Sequence, residues 1–167
     1  DKTKDRNKEW CEKGCRPILF GMKQCNDKFD RLVITEGQLD SLSVATSGIE
    51  NAVSVPTGAK GFTWVPYCYD WIAKFEEIVV FGDFEKNQIT LLDEVARRFP
   101  CRIKHVRESD YRDCKDANEI LQKYGSEAVR KAVENAVSIP VQRVLPLAEV
   151  ENVNIYKLPK VKTGLSD

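Results

Sequence analysis

Three carboxylates stand where buried strands should end. Glu36 follows the run "RLVIT", Asp83 follows "IVVFG", and Glu85 lies two residues further on. In extended backbone, residues i and i+2 point the same way, so Asp83 and Glu85 can face one target. If the two strands are neighbours, Glu36 joins them. Three like charges at one edge repel strongly unless a cation lies among them. Ligands that are all oxygen suit Mg²⁺ or Mn²⁺, with waters and a phosphate completing the shell. For each acid taken singly, the competing reading is a solvated helix start favoured by the helix dipole.

The elements that would position these acids follow a βα rhythm from residue 31 onward. "RLVIT" (31–35), "NAVSV" (51–55), "EEIVVFG" (76–82) and "RIKHV" (102–106) read as strands. Helices are expected over 38–46, 67–76, 87–99, 116–124 and 126–137. Leu39, Leu42 and Thr46 fall along one side of the first, and Ile89, Leu92, Ala96 and Phe99 fall at helical spacing in the third. Ser126 is placed to cap the last. Strands separated by helices imply parallel pairing, and ligands of open parallel sheets sit beyond the carboxyl ends of the strands. The expected organisation is a small N-terminal appendage (1–30), an α/β domain (31–137) and a Pro-containing linker (138–167).

The totals exclude several classes. The chain has 167 residues, 42% apolar and 31% charged, with 26 basic and 26 acidic side chains. That balance argues against whole-molecule attraction to nucleic acid, so such contact would need a local patch. No apolar stretch approaches a membrane span, and no signal peptide is evident. The scatter of six cysteines does not resemble a secreted disulfide framework. Cys11, Cys15 and Cys25 fall one ligand short of a structural zinc set and have unusual spacings. The chain reads as a cytoplasmic fragment of something longer.

Further residues border the acids. Asp40, in the first turn after Glu36, either supports a metal or stabilises a helix start. Lys60, in the loop "PTGAKG", either meets a phosphate or is solvated. Lys115 and Asp116 precede a helix, and Asp116 with Glu119 has capping-box spacing. Arg97, Arg98, Arg102, Lys104, Arg107, Arg112 and Lys115 form a basic surplus that either touches a nucleic-acid backbone or is a solvated edge. His105 reads as a strand residue.

"TEGQLDSL" resembles the first motif of TOPRIM domains, and "VVFGDFE" stands in the place of their Asp-x-Asp motif. "CKDANEIL" (114–121), "ILFGM", "VSVPTGA" and "KVKTGLSD" are similar to stretches of the phage and Twinkle-type primase–helicases. The ordered series runs from about Pro17 to Asp167. The resemblance implies a Rossmann-like, four-stranded parallel sheet flanked by helices. It assigns catalytic and metal-binding roles to Glu36, Asp83 and Glu85, with Mg²⁺ or Mn²⁺ as cofactor. Asp40, Lys60, Lys115 and Asp116 take supporting or substrate-binding roles. The implied activity is nucleotidyl transfer making RNA primers on a single-stranded DNA template from nucleoside triphosphates. A helicase domain would follow in the same chain, with no membrane, in a bacterial or phage-encoded protein.

Two departures qualify the match. The second acid of the Asp-x-Asp motif is Glu85, and the glycine that usually follows is replaced within "KNQ" (86–88). Positive φ is harder to reach there, Asn87 tolerating it best. They favour an alternative, a catalytically degenerate module serving as a DNA-contact or spacer domain. A nuclease or topoisomerase ranks lower. The latter needs a nucleophilic tyrosine, and none of Tyr67, Tyr69, Tyr111, Tyr124 or Tyr156 has a distinctive setting in the sequence.

Overall fold

The computed structural model describes residues 13–99 and 101–139. A central sheet has the order β2-β1-β3-β6-β7. Its strands are β1 (Arg31–Thr35), β2 (Ala52–Ser54), β3 (Glu77–Phe81), β6 (Arg102–His105) and the two-residue edge β7 (Val137–Ser138). β2, β1, β3 and β6 run parallel, as the sequence implies, and β7 closes the edge antiparallel to β6. Leu32 to Thr35 and Glu77 to Phe81 are buried throughout. Such continuous apolar runs are the signature of strands covered on both faces.

The helices are α1 (Gln38–Thr46), α2 (Val65–Ile72), α3 (Thr90–Arg98), α4 (Glu108–Tyr111), α5 (Ala117–Tyr124) and α6 (Ser126–Glu134). α1, α5 and α6 pack on one another, while α3 lies against β3 and β6. The described part of the N-terminal segment joins the domain: Leu19 is buried, and Phe20 exchanges backbone hydrogen bonds with Ser54 at the free edge of β2. What matters most for the site is the register. Thr35 of β1 lies beside Phe81 of β3, so Glu36 and the Gly82–Asp83 pair leave the sheet next to one another.

Several local expectations are overturned. α1 turns Leu39 and Leu42 outward, 65% and 50% exposed, and buries Asp40, Ser41, Ser43 and Val44 instead. The serines tolerate burial because their hydroxyls donate to helix carbonyls: Ser41 to Gln38, Ser43 to Leu39, Ser47 to Ser43, each at 2.8 Å. The third predicted helix starts three residues late. Residues 87–89 belong to a hairpin of β4 (Phe84–Glu85) and β5 (Gln88–Ile89). α3 then buries Leu91, Val95 and the following Phe99 rather than Leu92 and Ala96. Ser126 is the first helical residue rather than a side-chain cap; Gly125, with φ of 80°, occupies the cap position. The last helix ends at Glu134, before β7. Of the linker, all but residues 138 and 139 lies outside the described residues, as does Cys11.

The hairpin turn is made by Lys86 and Asn87, with φ of 52° and 61°. Positive φ at both central residues is the type I′ pattern that suits strand twist, and Asn-Gly is its preferred pair. Positive φ is therefore reached without glycine, at a cost of order 1 kcal/mol at Lys86. Replacing Lys86→Asn together with Asn87→Gly is expected to raise the urea unfolding free energy by about 1 kcal/mol, leaving the far-ultraviolet circular dichroism unchanged.

Candidate metal centre

Two glycines make room for the site. A Cβ on Gly37 would fall 2.5 Å from the Asp40 carboxylate, so the Glu-Gly pair lets Asp40 fold back over the strand end. A Cβ on Gly82 would meet Ile89 at 2.8 Å and Leu91 at 3.2 Å, so the hairpin and α3 close tightly behind Asp83. The segment is fixed from outside as well. The buried Tyr111 hydroxyl donates to the Gly82 carbonyl at 2.8 Å, and its ring stacks on Phe84. The Phe84 amide donates to the Lys115 carbonyl at 2.7 Å. Tyr111 thus has a structural setting that its sequence neighbours do not disclose, and a buried hydroxyl committed to a carbonyl is no nucleophile.

The acids meet at the N-terminus of α5. Asp40 Oδ1 accepts the Asn118 amide at 3.0 Å, and Asp116 Oδ1 accepts the Glu119 amide at 2.7 Å. Glu119 reaches back to the Lys115 amide at 3.1 Å, one residue ahead of the usual capping-box partner. The capping reading of Asp116 is therefore observed, and Asp40 serves a different helix from its own. Asp40, Asp83 and Asp116 each offer an oxygen, all within 4.8 Å of one another. Of the three ligands expected from sequence, only Asp83 belongs to this tight group. The other two members were expected to support it.

Glu36 stands beside the group. Its Oε1 accepts the Ala59 amide at 3.3 Å, and its charge acts on Asp83. It borders two cavities. The first, about 560 Å³, is lined by Glu36, Asp40, Asp83, Lys115, Asp116 and Asn118, among others. The second, about 480 Å³, holds Glu36, Asp83, Glu85, Lys60 and Lys86. Asp83 and Glu85 thus face one space as their spacing suggests, but Glu85 is exposed on its outer side.

The electrostatics are those of crowded like charges. Burial, then the Glu36 charge, pushes the Asp83 carboxyl up to about 6, against the pull of Lys115. Burial also lifts Asp40 to about 6; the Asn118 amide opposes this and the Asp116 charge adds to it. The Lys115 ammonium lies 3.7 Å from Asp83 and 3.3 Å from Asp116. A hard divalent ion fits this donor set, since every group is a carboxylate oxygen. Asp40, Asp83 and Asp116 are the residues placed to hold it.

The remaining candidates separate. Arg97 and Arg98 pair with Glu94, Arg102 and Lys104 with Glu77, and Arg112 lies over the Tyr124 ring. The basic surplus is thus largely committed within the domain. A third cavity, about 580 Å³, lies at the opposite ends of the strands, around Arg31, Glu77 and Arg102. Burial raises the Glu77 carboxyl, but hydrogen bonds from Lys104 and Arg31 outweigh it and hold the group below its ordinary value. That end is a neutralised structural cluster. His105 ends β6 as a strand residue, and Cys15 and Cys25 are free thiols.

The fold is that of primase TOPRIM domains. The solved primase fragment of the bacteriophage T7 primase–helicase shares the fold at a TM-score of 0.56 and 24% identity, over 71% of this chain and 49% of that one. The Aquifex aeolicus primase does so at 0.57 and 15%, over 72% and 30%. T7 primase domains bound to an RNA/DNA hybrid and dTTP match at 0.54 and 24%, over 66% and 56%. No family model matches the chain. Among curated proteins it is 30% identical over 151 residues to the Twinkle homolog protein, chloroplastic/mitochondrial, of Arabidopsis thaliana, covering 78% of this chain and 21% of that protein. It is 29% identical over 150 residues to the primase homolog protein of the same plant, covering 78% and 44%. The chain is thus similar to the TOPRIM region of Twinkle- and phage-type primases, and it spans less than half the length of either curated relative. The first relative's name places it in organelles, so a cytoplasmic, phage-like setting rests on the sequence reading alone. Among the described residues no helix is long and apolar enough to cross a membrane.

Two measurements probe the site without a substrate. Asp40 and Asp83 hold protons in the fold up to about pH 6, whereas unfolded aspartate titrates near ~3.9. Their contribution to stability is therefore full below about pH 4 and lost as pH rises through about 6. In chelator, the thermal midpoint should fall more steeply between about pH 4 and 6 for wild type than for Asp40→Asn. Tyr111→Phe keeps the ring stack but strands a buried carbonyl, and should cost about 1–3 kcal/mol in urea unfolding.

Proposed function

We propose that this domain binds Mg²⁺ or Mn²⁺ and catalyses nucleotidyl transfer, making RNA primers on single-stranded DNA as part of a longer primase–helicase. The observation that carries the reading is the meeting of Asp40, Asp83 and Asp116 oxygens within 4.8 Å at the ends of adjacent parallel strands. The T7 primase domains found with an RNA/DNA hybrid and dTTP supply the substrate class.

When bound, the metal would neutralise the triphosphate and the charge that develops during transfer. The chain's own residues do the rest. Asp40, Asp83 and Asp116 would hold the ion, with Asp40 and Asp116 oriented by amides of α5. Glu36, oriented by the Ala59 amide, borders both cavities and is placed to bind an ion or to take the proton of the attacking 3′-hydroxyl. Lys60 and Lys86, on the wall of the second cavity, face the phosphates. Glu85 borders the same space. The exposed position of Glu85, outside the tight group, favours the second reading, in which the module is catalytically degenerate and acts as a DNA-contact or spacer domain.

Calorimetry with Mn²⁺ should show saturable binding by wild type, at least tenfold weaker binding by Asp83→Asn, and a smaller loss for Glu36→Gln. Equal binding by all three proteins would dismiss the site. A primer-synthesis assay on the intact longer protein then separates the readings: labelled oligoribonucleotides, lost in Asp83→Asn, support the enzyme, and metal binding without product supports the degenerate module.

A further inference from the structure

Lys115 is anchored at its backbone, and its tip is held only by ion pairs. Its amide donates to Glu119 and its carbonyl accepts the Phe84 amide, at 3.1 and 2.7 Å. Its side chain is half exposed, 49%, and lines the first cavity. The ammonium lies within 4 Å of Asp83 Oδ2 and Asp116 Oδ2, the carboxylates of two of the three residues placed to hold the ion. A divalent ion and an ammonium cannot both sit there without strong like-charge repulsion. The lysine stem has four rotatable carbons and a compact, strongly hydrated head, so the tip can relocate while the backbone stays fixed.

We propose that Lys115 is an internal counter-ion that a divalent cation displaces, and that the released ammonium then binds a phosphate of the incoming nucleoside triphosphate. The proposal rests on the metal-binding reading above and adds a second role for one residue. Without the ion, Lys115 screens Asp83 from Asp116 and keeps the acidic edge closed. With the ion in place, the ammonium is released toward the substrate's oxygens, in the cavity it already lines. Metal and nucleotide therefore bind in order, and Lys115 opposes the first while assisting the second.

The signature is a change of opposite sign in two binding constants. Lys115→Met keeps the stem and removes the charge. In Mn²⁺ titrations followed by electron paramagnetic resonance, this variant should bind the ion about threefold to tenfold more tightly than wild type. In saturating Mn²⁺ it should bind a non-hydrolysable nucleoside triphosphate about tenfold more weakly. Lys115→Arg, which keeps the charge, should restore nucleotide binding. Weaker or unchanged Mn²⁺ binding by Lys115→Met would overturn the displacement, and unchanged nucleotide binding would overturn the phosphate contact. Thermal midpoints in chelator identify a variant that fails to fold, in which case Lys115→Gln takes its place. Absence of Mn²⁺ binding by wild type would remove the underlying metal reading. Loss of binding in Asp83→Asn with no change in Lys115→Met would remove only this inference.

Discussion

The site depends on keeping carboxylates together that repel one another. Asp40, Asp83 and Asp116 approach within 4.8 Å, and burial makes the charges of Asp40 and Asp83 harder to carry. Three features offset that cost. The N-terminus of α5 offers two amides, one to Asp40 and one to Asp116, and its dipole favours negative charge there. The Lys115 ammonium supplies an opposite charge. Part of the cost remains, and it is visible in the raised carboxyls of Asp40 and Asp83. A site with residual negative charge and fixed oxygens is poised for a hard cation.

The rest of the fold serves this convergence. Parallel pairing of β1 with β3 brings Glu36 and Asp83 out of the sheet together. Gly37 and Gly82 leave space where any side chain would collide. Tyr111 ties the Gly82 carbonyl, and the Phe84–Lys115 hydrogen bond ties the strand end to the approach of α5. The polar inner face of α1 belongs to the same design: Asp40 and Ser43 both reach Asn118 of α5. That contact orders the helix pair and explains why Leu39 and Leu42 face outward.

The resemblance to the Twinkle homolog and primase homolog proteins and the primase-like fold both support a primase-type domain. At the second motif the backbone turn forms at Lys86 and Asn87 without its glycine, and Glu85 still borders the cavity shared with Glu36 and Asp83.

The strands, their parallel arrangement and the location of the acids at strand ends were legible in the sequence, because long apolar runs and the βα rhythm are local signals. The site was half legible. Glu36, Asp83 and Glu85 could be placed at one edge from spacing. That Asp40 and Asp116 would close on Asp83, while Glu85 stayed outside, could not. Asp40 and Asp116 are far apart in the chain, and their meeting depends on how α1 and α5 pack. The same reason explains the polar inner face of α1, the hairpin hidden at the start of the third helix, and the role of Tyr111. Periodicity reports what a segment prefers alone. Which polar groups are buried, and against which partners, is decided only when the helices dock and every buried donor and acceptor must find its match.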